Sequence, residues 1–130
     1  MVSIDTSTDW ARCNTAALET RKRDGSWVRT PVSLVTHDGR TYFRTYASAG
    51  KAKRLRNFTE VRVSPCTLLG RPLGPAVAGE TRLLGPEEAL VARRLLRRRH
   101  PVLQGVAVPL FHRLMHYRTL HYELTFADAV

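Results

Sequence analysis

The sequence predicts a mostly β domain in which six antiparallel strands curl into a small barrel and carry two or three short helices. Several segments alternate apolar and polar side chains, which is the pattern of a strand with one buried face. Two Asp-Gly pairs lie between such segments, and this pair favours tight hairpin turns. A chain of 130 residues suits one domain with a single core. A sheet of this size tends to close on itself, because closure removes exposed edges.

The first three strands are predicted to form an antiparallel meander, with Asp24-Gly25 and His37-Asp38-Gly39 as the two turns. Pro31 falls inside the second strand, and its missing N–H must face an edge, a bulge or a ligand. Met1–Asn14 is predicted as a polar lead-in that Trp10 attaches to a domain spanning residues 15–130. The six predicted strands are Thr15–Arg23, Ser26–Thr36, Arg40–Tyr46, Glu60–Cys66, Ala76–Leu84 and Arg118–Phe126.

Helices are predicted in the basic stretch after the third strand, over Pro86–His100 and over Leu110–Tyr117. Pro86 suits the first helical position, and the Glu87 and Glu88 carboxylates complement the partial positive charge of a helix N-terminus. Pro101 ends the second helix, because proline cannot continue the hydrogen-bond ladder.

The basic helix is the candidate functional feature. Lys51, Lys53, Arg54 and Arg56 occupy its first two turns, where the helix already carries partial positive charge. This arrangement costs stability unless an anion is bound. Free backbone N–H groups, Ser48 with a following glycine, and converging cations together favour a phosphate site. The same spacing also fits a basic helix that is simply solvated.

Composition favours an anionic partner. The formal net charge is +10, which fits nucleic acid, an acidic surface or a phosphorylated small molecule. Cys13 and Cys66 lie at no metal-ligand spacing, so reduced thiols in a soluble cytoplasmic protein are expected. Cys66 is predicted to be a small buried hydrophobic residue, and no sequence pattern around Cys13 indicates a function. No signal peptide or membrane-spanning stretch is predicted.

The order of these segments resembles the pyridoxamine-5′-phosphate-oxidase-like split β-barrel superfamily. Within it, the chain is most similar to the actinobacterial flavin/deazaflavin oxidoreductases that use coenzyme F-420. The similarity runs over roughly residues 15–126. The motifs that carry it are Arg29-Thr30-Pro31-Val32, Arg44-Thr45 with Ser48 and Lys51, Lys53-Arg54-Leu55, and Val61-Arg62-Val63-Ser64-Pro65-Cys66.

The resemblance implies a split β-barrel of FMN-binding type and a homodimer with its cofactor sites at the subunit interface. Arg29 to Val32 would lie along the rings of F-420, or of FMN as the alternative. Ser33 stands where the family often has an aromatic residue, which leaves the substrate face of the ring undefined. The implied cofactor-binding residues are Arg29, Thr30, Pro31, Val32, Arg44, Thr45, Ser48, Lys51 and Arg54.

The function implied is hydride transfer from reduced F-420 to an unsaturated small molecule. The cofactor carries that chemistry, and the sequence identifies no catalytic side chain. The alternatives are an FMN-dependent protein, a flavin- or heme-binding protein without catalysis, and a basic nucleic-acid-binding module. Few aromatic side chains and no recognised motif disfavour nucleic acid.

Three histidines form the remaining candidate site. His112 and His116 are four residues apart on a predicted helix, and His121 follows on the last strand. Two histidines at this spacing can share a metal, and heme ligation is the related alternative. No carboxylate or cysteine lies at a supporting spacing, so no metal is predicted.

Overall fold

The computed structural model describes residues 10, 12–46, 49–67, 70–100 and 119–126. These residues form one curled antiparallel sheet and two helices. The strands are β1 (Thr15–Arg21), β2 (Trp27–Ser33), β3 (Val35–His37), β4 (Arg40–Tyr46), β5 (Glu60–Pro65), β6 (Val77–Leu83) and β7 (Thr119–Phe126). The helices are α1 (Gly50–Asn57) and α2 (Pro86–Arg99). The strands lie in the order β2-β1-β5-β6-β7-β4-β3, which leaves β2 and β3 at the edges.

Both predicted Asp-Gly turns are present. Gly25 has a φ of 90°, and it closes a short hairpin in which the Lys22 N–H donates to Ser26 O at 2.8 Å. Asp38 and Gly39 have φ values of 52° and 76°, as a two-residue hairpin turn requires. Aspartate and glycine tolerate this left-handed backbone, which is why these positions could be found from the sequence.

The prediction of six strands is wrong, because the described residues form seven. Ser26–Thr36 was expected to be one strand, but it divides at Leu34 into β2 and β3. β2 pairs only with β1, and β3 pairs with β4 at the opposite edge of the sheet. The Leu34 N–H instead donates to Asn14 O at 2.9 Å, and its side chain is fully buried. The expected meander is therefore interrupted here, and the sheet is a half-barrel close to a split barrel.

The concave face of the sheet holds the main hydrophobic core. Phe43 and Tyr122 stack there with ring centroids 5.1 Å apart. Leu55 of α1 closes the same core from one side. The Trp10 ring stacks on Phe126 at 4.5 Å, and this contact attaches the end of the lead-in to the body of the protein.

A second, smaller core lies between α2 and the outer face of the sheet. Ala92 and Leu96 of α2 pack against Val35, Tyr42 and Leu84. The alternation of β4 therefore serves two cores, with Phe43 on one face and Tyr42 on the other. The predicted helix Leu110–Tyr117 lies outside the described residues. In the part of the chain that is described, neither helix has the length and apolar character needed to cross a bilayer.

Candidate cofactor-binding corner

The N-terminal half of α1 lies against β1 and β2 at the edge of the sheet. The Lys51 ammonium donates to the carbonyl oxygen of Pro31 at 3.5 Å. The Arg54 Nε donates to the hydroxyl of Thr20 at 2.6 Å. We refer to these four residues, Thr20, Pro31, Lys51 and Arg54, as the cationic corner. Lys51 and Arg54, both predicted phosphate ligands, thus extend from α1 to the paired strands β1 and β2, with Lys51 contacting the predicted ring-binding strand and Arg54 contacting its neighbour.

Pro31 fits this place because β2 is an edge strand. Its carbonyl oxygen points away from β1, because Lys22 and Ser26 form a hydrogen-bonded pair and the alternation of the ladder makes Pro31 and Ala17 a non-hydrogen-bonded pair. The nitrogen and carbonyl of a strand residue point the same way, so the nitrogen of Pro31 also faces the edge. No ladder hydrogen bond is lost there, and the backbone is open to a ligand.

The electrostatics of the cationic corner favour an anion. Burial, and secondarily the Arg54 charge, lower the pKa of Lys51 to about 8. The first turn of α1 contains no acidic residue, and no side chain among the described residues caps its N-terminus. Among the described residues, neither Lys51 nor Arg54 forms an ion pair with a carboxylate. A bound phosphate would offset the cost of desolvating these two cations.

The four predicted ring-facing residues of β2 divide between its two faces. Arg29 and Pro31 are exposed, and Arg29 Nη2 donates to Gly70 O at 3.4 Å. Thr30 and Val32 point to the opposite, concave face, where Val32 joins the main core. The Thr30 hydroxyl is buried and has no hydrogen-bond partner within the described part of the chain. A planar ring can therefore contact one of these pairs of side chains, together with the backbone of the edge.

The remaining predicted ligands are arranged differently. Thr45 shares the concave face with Phe43 and is only 9% exposed. Arg44 lies on the other face of β4, with its guanidinium 5.9 Å from the Tyr46 ring centroid and opposite His121 in the strand register. Arg44 therefore lies on the α2 side and apart from the cationic corner. Ser48 lies outside the described residues.

The structure adds cations that the sequence analysis did not assign to a site. A groove of about 330 Å³ runs from the Arg54 side of α1 to the β1–β2 hairpin. Arg21, Lys22 and Arg23 line it together with Lys53 and Arg54. The signal in the sequence was the run of three cations directly before the Asp24-Gly25 turn. This groove extends the positive surface of the cationic corner beyond a single phosphate.

The described histidines do not form a metal centre. Burial first, then the charges of Arg44 and Arg93, lower the pKa of His121 to about 4, so its ring is neutral at pH 7. Its Nε2 atom is buried and meets no hydrogen-bond partner among the residues that the structure describes. No group of three His, Cys, Asp or Glu side chains in the described part of the chain is placed to hold a metal ion. His112 and His116 lie outside the described residues.

Comparison with known proteins places the fold among split-barrel-like structures. No family model matches the chain, and no curated protein matches it. A conserved hypothetical protein from Mycobacterium tuberculosis is 18% identical, with a TM-score of 0.66, over 92% of this chain and 76% of that one. The heme storage protein HutZ from Vibrio cholerae is 10% identical, with a TM-score of 0.69, over 91% and 84% of the two chains.

An FAD-binding protein from Mesorhizobium loti is also similar, at 12% identity and a TM-score of 0.62 over 92% and 83% of the two chains. At these identities the likeness concerns the fold alone. The fold part of the expected resemblance is therefore confirmed, with seven strands in place of six. The finer similarity to F-420-dependent enzymes rests on the sequence motifs.

Proposed function

We propose that this protein binds a phosphorylated flavin-type coenzyme, F-420 or FMN, with the phosphate in the cationic corner and the rings along β2. The observation that carries the proposal is that Lys51 and Arg54 both extend from α1 to the β1–β2 edge of the sheet, close enough for the Arg54 charge to lower the pKa of Lys51, and that neither has a carboxylate partner among the described residues. The FAD-binding protein of similar fold supports a flavin in this architecture.

Each part of the corner has a distinct role in this proposal. Lys51 and Arg54 bind the phosphate, and the contact of Arg54 with Thr20 fixes its guanidinium in place. Charge-assisted hydrogen bonds of this kind supply affinity and orient the coenzyme. The edge at Pro31 offers a carbonyl and no competing N–H, so the rings can lie flat along the strand.

The bound coenzyme supplies hydride-transfer chemistry, and F-420 is the member of the pair that the sequence motifs favour. The proposed reaction is reduction of an unsaturated small molecule. A homodimer with the coenzyme at the subunit interface is part of the proposal. The side chains of Leu83, Leu90 and Val91 are each about half exposed, which fits a surface that a second copy covers.

Heme binding is the second candidate, because the heme storage protein HutZ has a similar fold. The cationic corner suits propionate groups as well as phosphate. The described histidines are less suited to an open iron site: the His100 ring contacts Leu34 O at 2.9 Å, and His121 is 7% exposed. His37, the third described histidine, lies on an exposed turn beside Asp38. The flavin proposal is therefore favoured.

Titration of the purified protein with F-420, FMN and hemin tests both candidates. The proposal predicts saturable quenching of F-420 or FMN fluorescence with one coenzyme per chain. Binding of neither flavin contradicts it, and a saturable shift of the hemin Soret band without flavin binding establishes the second candidate. Nucleic-acid binding is distinguished by its much steeper loss of affinity with rising salt.

A further inference from the structure

The two cysteines, which are far apart in the sequence, meet at one backbone atom. The Cys13 thiol donates to Thr15 O at 3.1 Å, and the Cys66 N–H donates to the same oxygen, also at 3.1 Å. Thr15 begins β1 and Cys66 directly follows β5, and these two strands pair in the sheet. The sulfur of Cys66 is three bonds from its own nitrogen, so both thiols lie close to one oxygen.

Both thiols also line one cleft of about 540 Å³. The cleft lies between the segment preceding β1, the end of β5 and the C-terminal end of α2. Cys66 is 4% exposed, and Cys13 is partly exposed. Cys13 is therefore the thiol that a small solute in the cleft reaches first.

The rim of the cleft is cationic. Arg12, Arg99 and His100 line it, and the described lining contains no carboxylate. Arg99 Nε donates to Asn14 Oδ1 at 2.6 Å, which fixes its guanidinium near the segment that carries Cys13. An anionic solute is therefore attracted to the cleft in preference to a neutral one.

We propose that Cys13 and Cys66 form an oxidisable dithiol, and that small anionic disulfides entering this cleft convert it to an intramolecular disulfide. This modification site is separate from the cationic corner and does not depend on the proposed coenzyme. Rotation of the Cys13 side chain exchanges one weak S–H···O hydrogen bond for a covalent bond. The bond would fasten the lead-in to β5.

The reaction is a thiol–disulfide exchange in two steps. The Cys13 thiolate attacks one sulfur of the small disulfide, which forms a mixed disulfide and releases one small thiolate. The Cys66 thiolate then attacks the Cys13 sulfur and releases the second small thiolate. The two protons lost by the cysteines are taken up by the two released thiolates. The cysteines are oxidised by two electrons, and the small disulfide is reduced by two.

Equilibration with mixtures of reduced and oxidised glutathione, followed by alkylation and mass spectrometry, tests the proposal on the intact chain. The expected product has lost the mass of two hydrogen atoms, carries no glutathione, and gives a peptide linking Cys13 to Cys66. Oxidation should raise the melting temperature by at least about 5 °C, because the link closes a long loop. Two separate glutathione adducts on the native chain would overturn the proposal.

Cys13→Ser and Cys66→Ser provide the matched controls, since serine is nearly the same size. Cys66→Ser should accumulate one glutathione adduct on Cys13, whereas Cys13→Ser, whose remaining thiol is buried, should form neither an adduct nor a link. If both thiols of the folded wild-type chain stay reduced under conditions that oxidise the denatured chain, the oxidisable dithiol is excluded. At low salt, glutathione disulfide should oxidise the pair at least about tenfold faster than neutral hydroxyethyl disulfide. Equal rates would overturn the anionic preference.

Discussion

Two groups of cations on this molecule are arranged in opposite ways. On the outer face of the sheet, the Arg82 guanidinium contacts Glu88 at 2.8 and 2.9 Å and Glu123 at 2.7 Å. Arg40 approaches the same two carboxylates at 4.0 and 3.8 Å. In the cationic corner, Lys51 contacts one carbonyl oxygen at 3.5 Å, and Arg54 contacts one hydroxyl.

The difference separates structural cations from cations available to a ligand. The Arg82 network links side chains of β6, β7 and α2, and its carboxylates hold the pKa of Arg82 well above its ordinary value. The cationic corner has no such carboxylates among the described residues, and the pKa of Lys51 is lowered instead. In a chain with a net charge of +10, the direction of these pKa shifts separates structural cations from ligand-binding cations better than the number of arginines does.

The largest expected effect is on coenzyme affinity. Lys51→Gln and Arg54→Gln should each weaken F-420 or FMN binding roughly 10- to 100-fold, because each removes a charge-assisted hydrogen bond. Fluorescence titration measures the change. Arg56→Gln is the matched control on the same helix, because Arg56 is exposed and lines neither the corner nor the adjoining groove. A loss for Arg56→Gln as large as that for Arg54→Gln would mean that only net charge matters.

The next effect is the pH dependence of binding. Lys51 is charged below its pKa of about 8 and becomes neutral above it, whereas a coenzyme phosphate stays anionic. Coenzyme affinity should therefore fall as pH rises through about 8, by roughly tenfold across the accessible range. The dependence should disappear in Lys51→Gln. A wild-type affinity that is constant from pH 7 to about 9.5 would contradict the role of Lys51.

Removing Arg82 should lower stability and leave coenzyme affinity unchanged, whereas removing Lys51 should lower coenzyme affinity. Arg82→Ala leaves Glu123, whose side chain is 16% exposed, without its closest cation, so the melting temperature should fall. Coenzyme affinity should be unchanged, because Arg82 lies outside the corner. Differential scanning fluorimetry and the same titration measure the two quantities. Equal stability of Arg82→Ala and wild type would show that these exposed pairs contribute nothing measurable.

The smallest effect is the acid sensitivity of the same network. Hydrogen bonds from Arg82 lower the pKa of Glu88 below its ordinary value of 4.5. The stabilisation is therefore complete above about pH 4.5 and is lost as pH falls through the lowered pKa. Thermal melts of wild type and Glu88→Gln should converge at acidic pH. A difference that persists undiminished at pH 2.5 would exclude this linkage.

Local chemistry made much of the fold predictable. Asp38 and Gly39 adopt the left-handed backbone that their side chains tolerate, and Pro86 begins α2 as expected. Pro31 signalled an irregularity in this strand, but the division at Leu34 was not predicted, because β2 and β3 pair with strands at opposite edges of the sheet. At the division, the Leu34 N–H donates to Asn14 O, which is distant in the sequence. The pairing of strands that are far apart in the sequence depends on the whole sheet and not on the local residues.

At the candidate site, the spacing of Lys51 and Arg54 predicts that they lie one turn apart on one face of a helix, and the structure places that face at the β1–β2 edge. Their role in coenzyme binding stays a prediction. The Thr20 hydroxyl that fixes Arg54 was missed, because a buried threonine on a strand carries no distinguishing pattern. The approach of Cys13 to Cys66 was missed for the same reason, since it depends on the pairing of β1 with β5.

The most direct test compares FMN with riboflavin, which lacks the phosphate, in wild type and in Lys51→Gln. If the cationic corner binds the phosphate, wild type should prefer FMN by roughly 100-fold or more, and the substitution should reduce that preference at least about tenfold. Riboflavin affinity itself should barely change. A preference for FMN that is the same in both proteins would contradict the account.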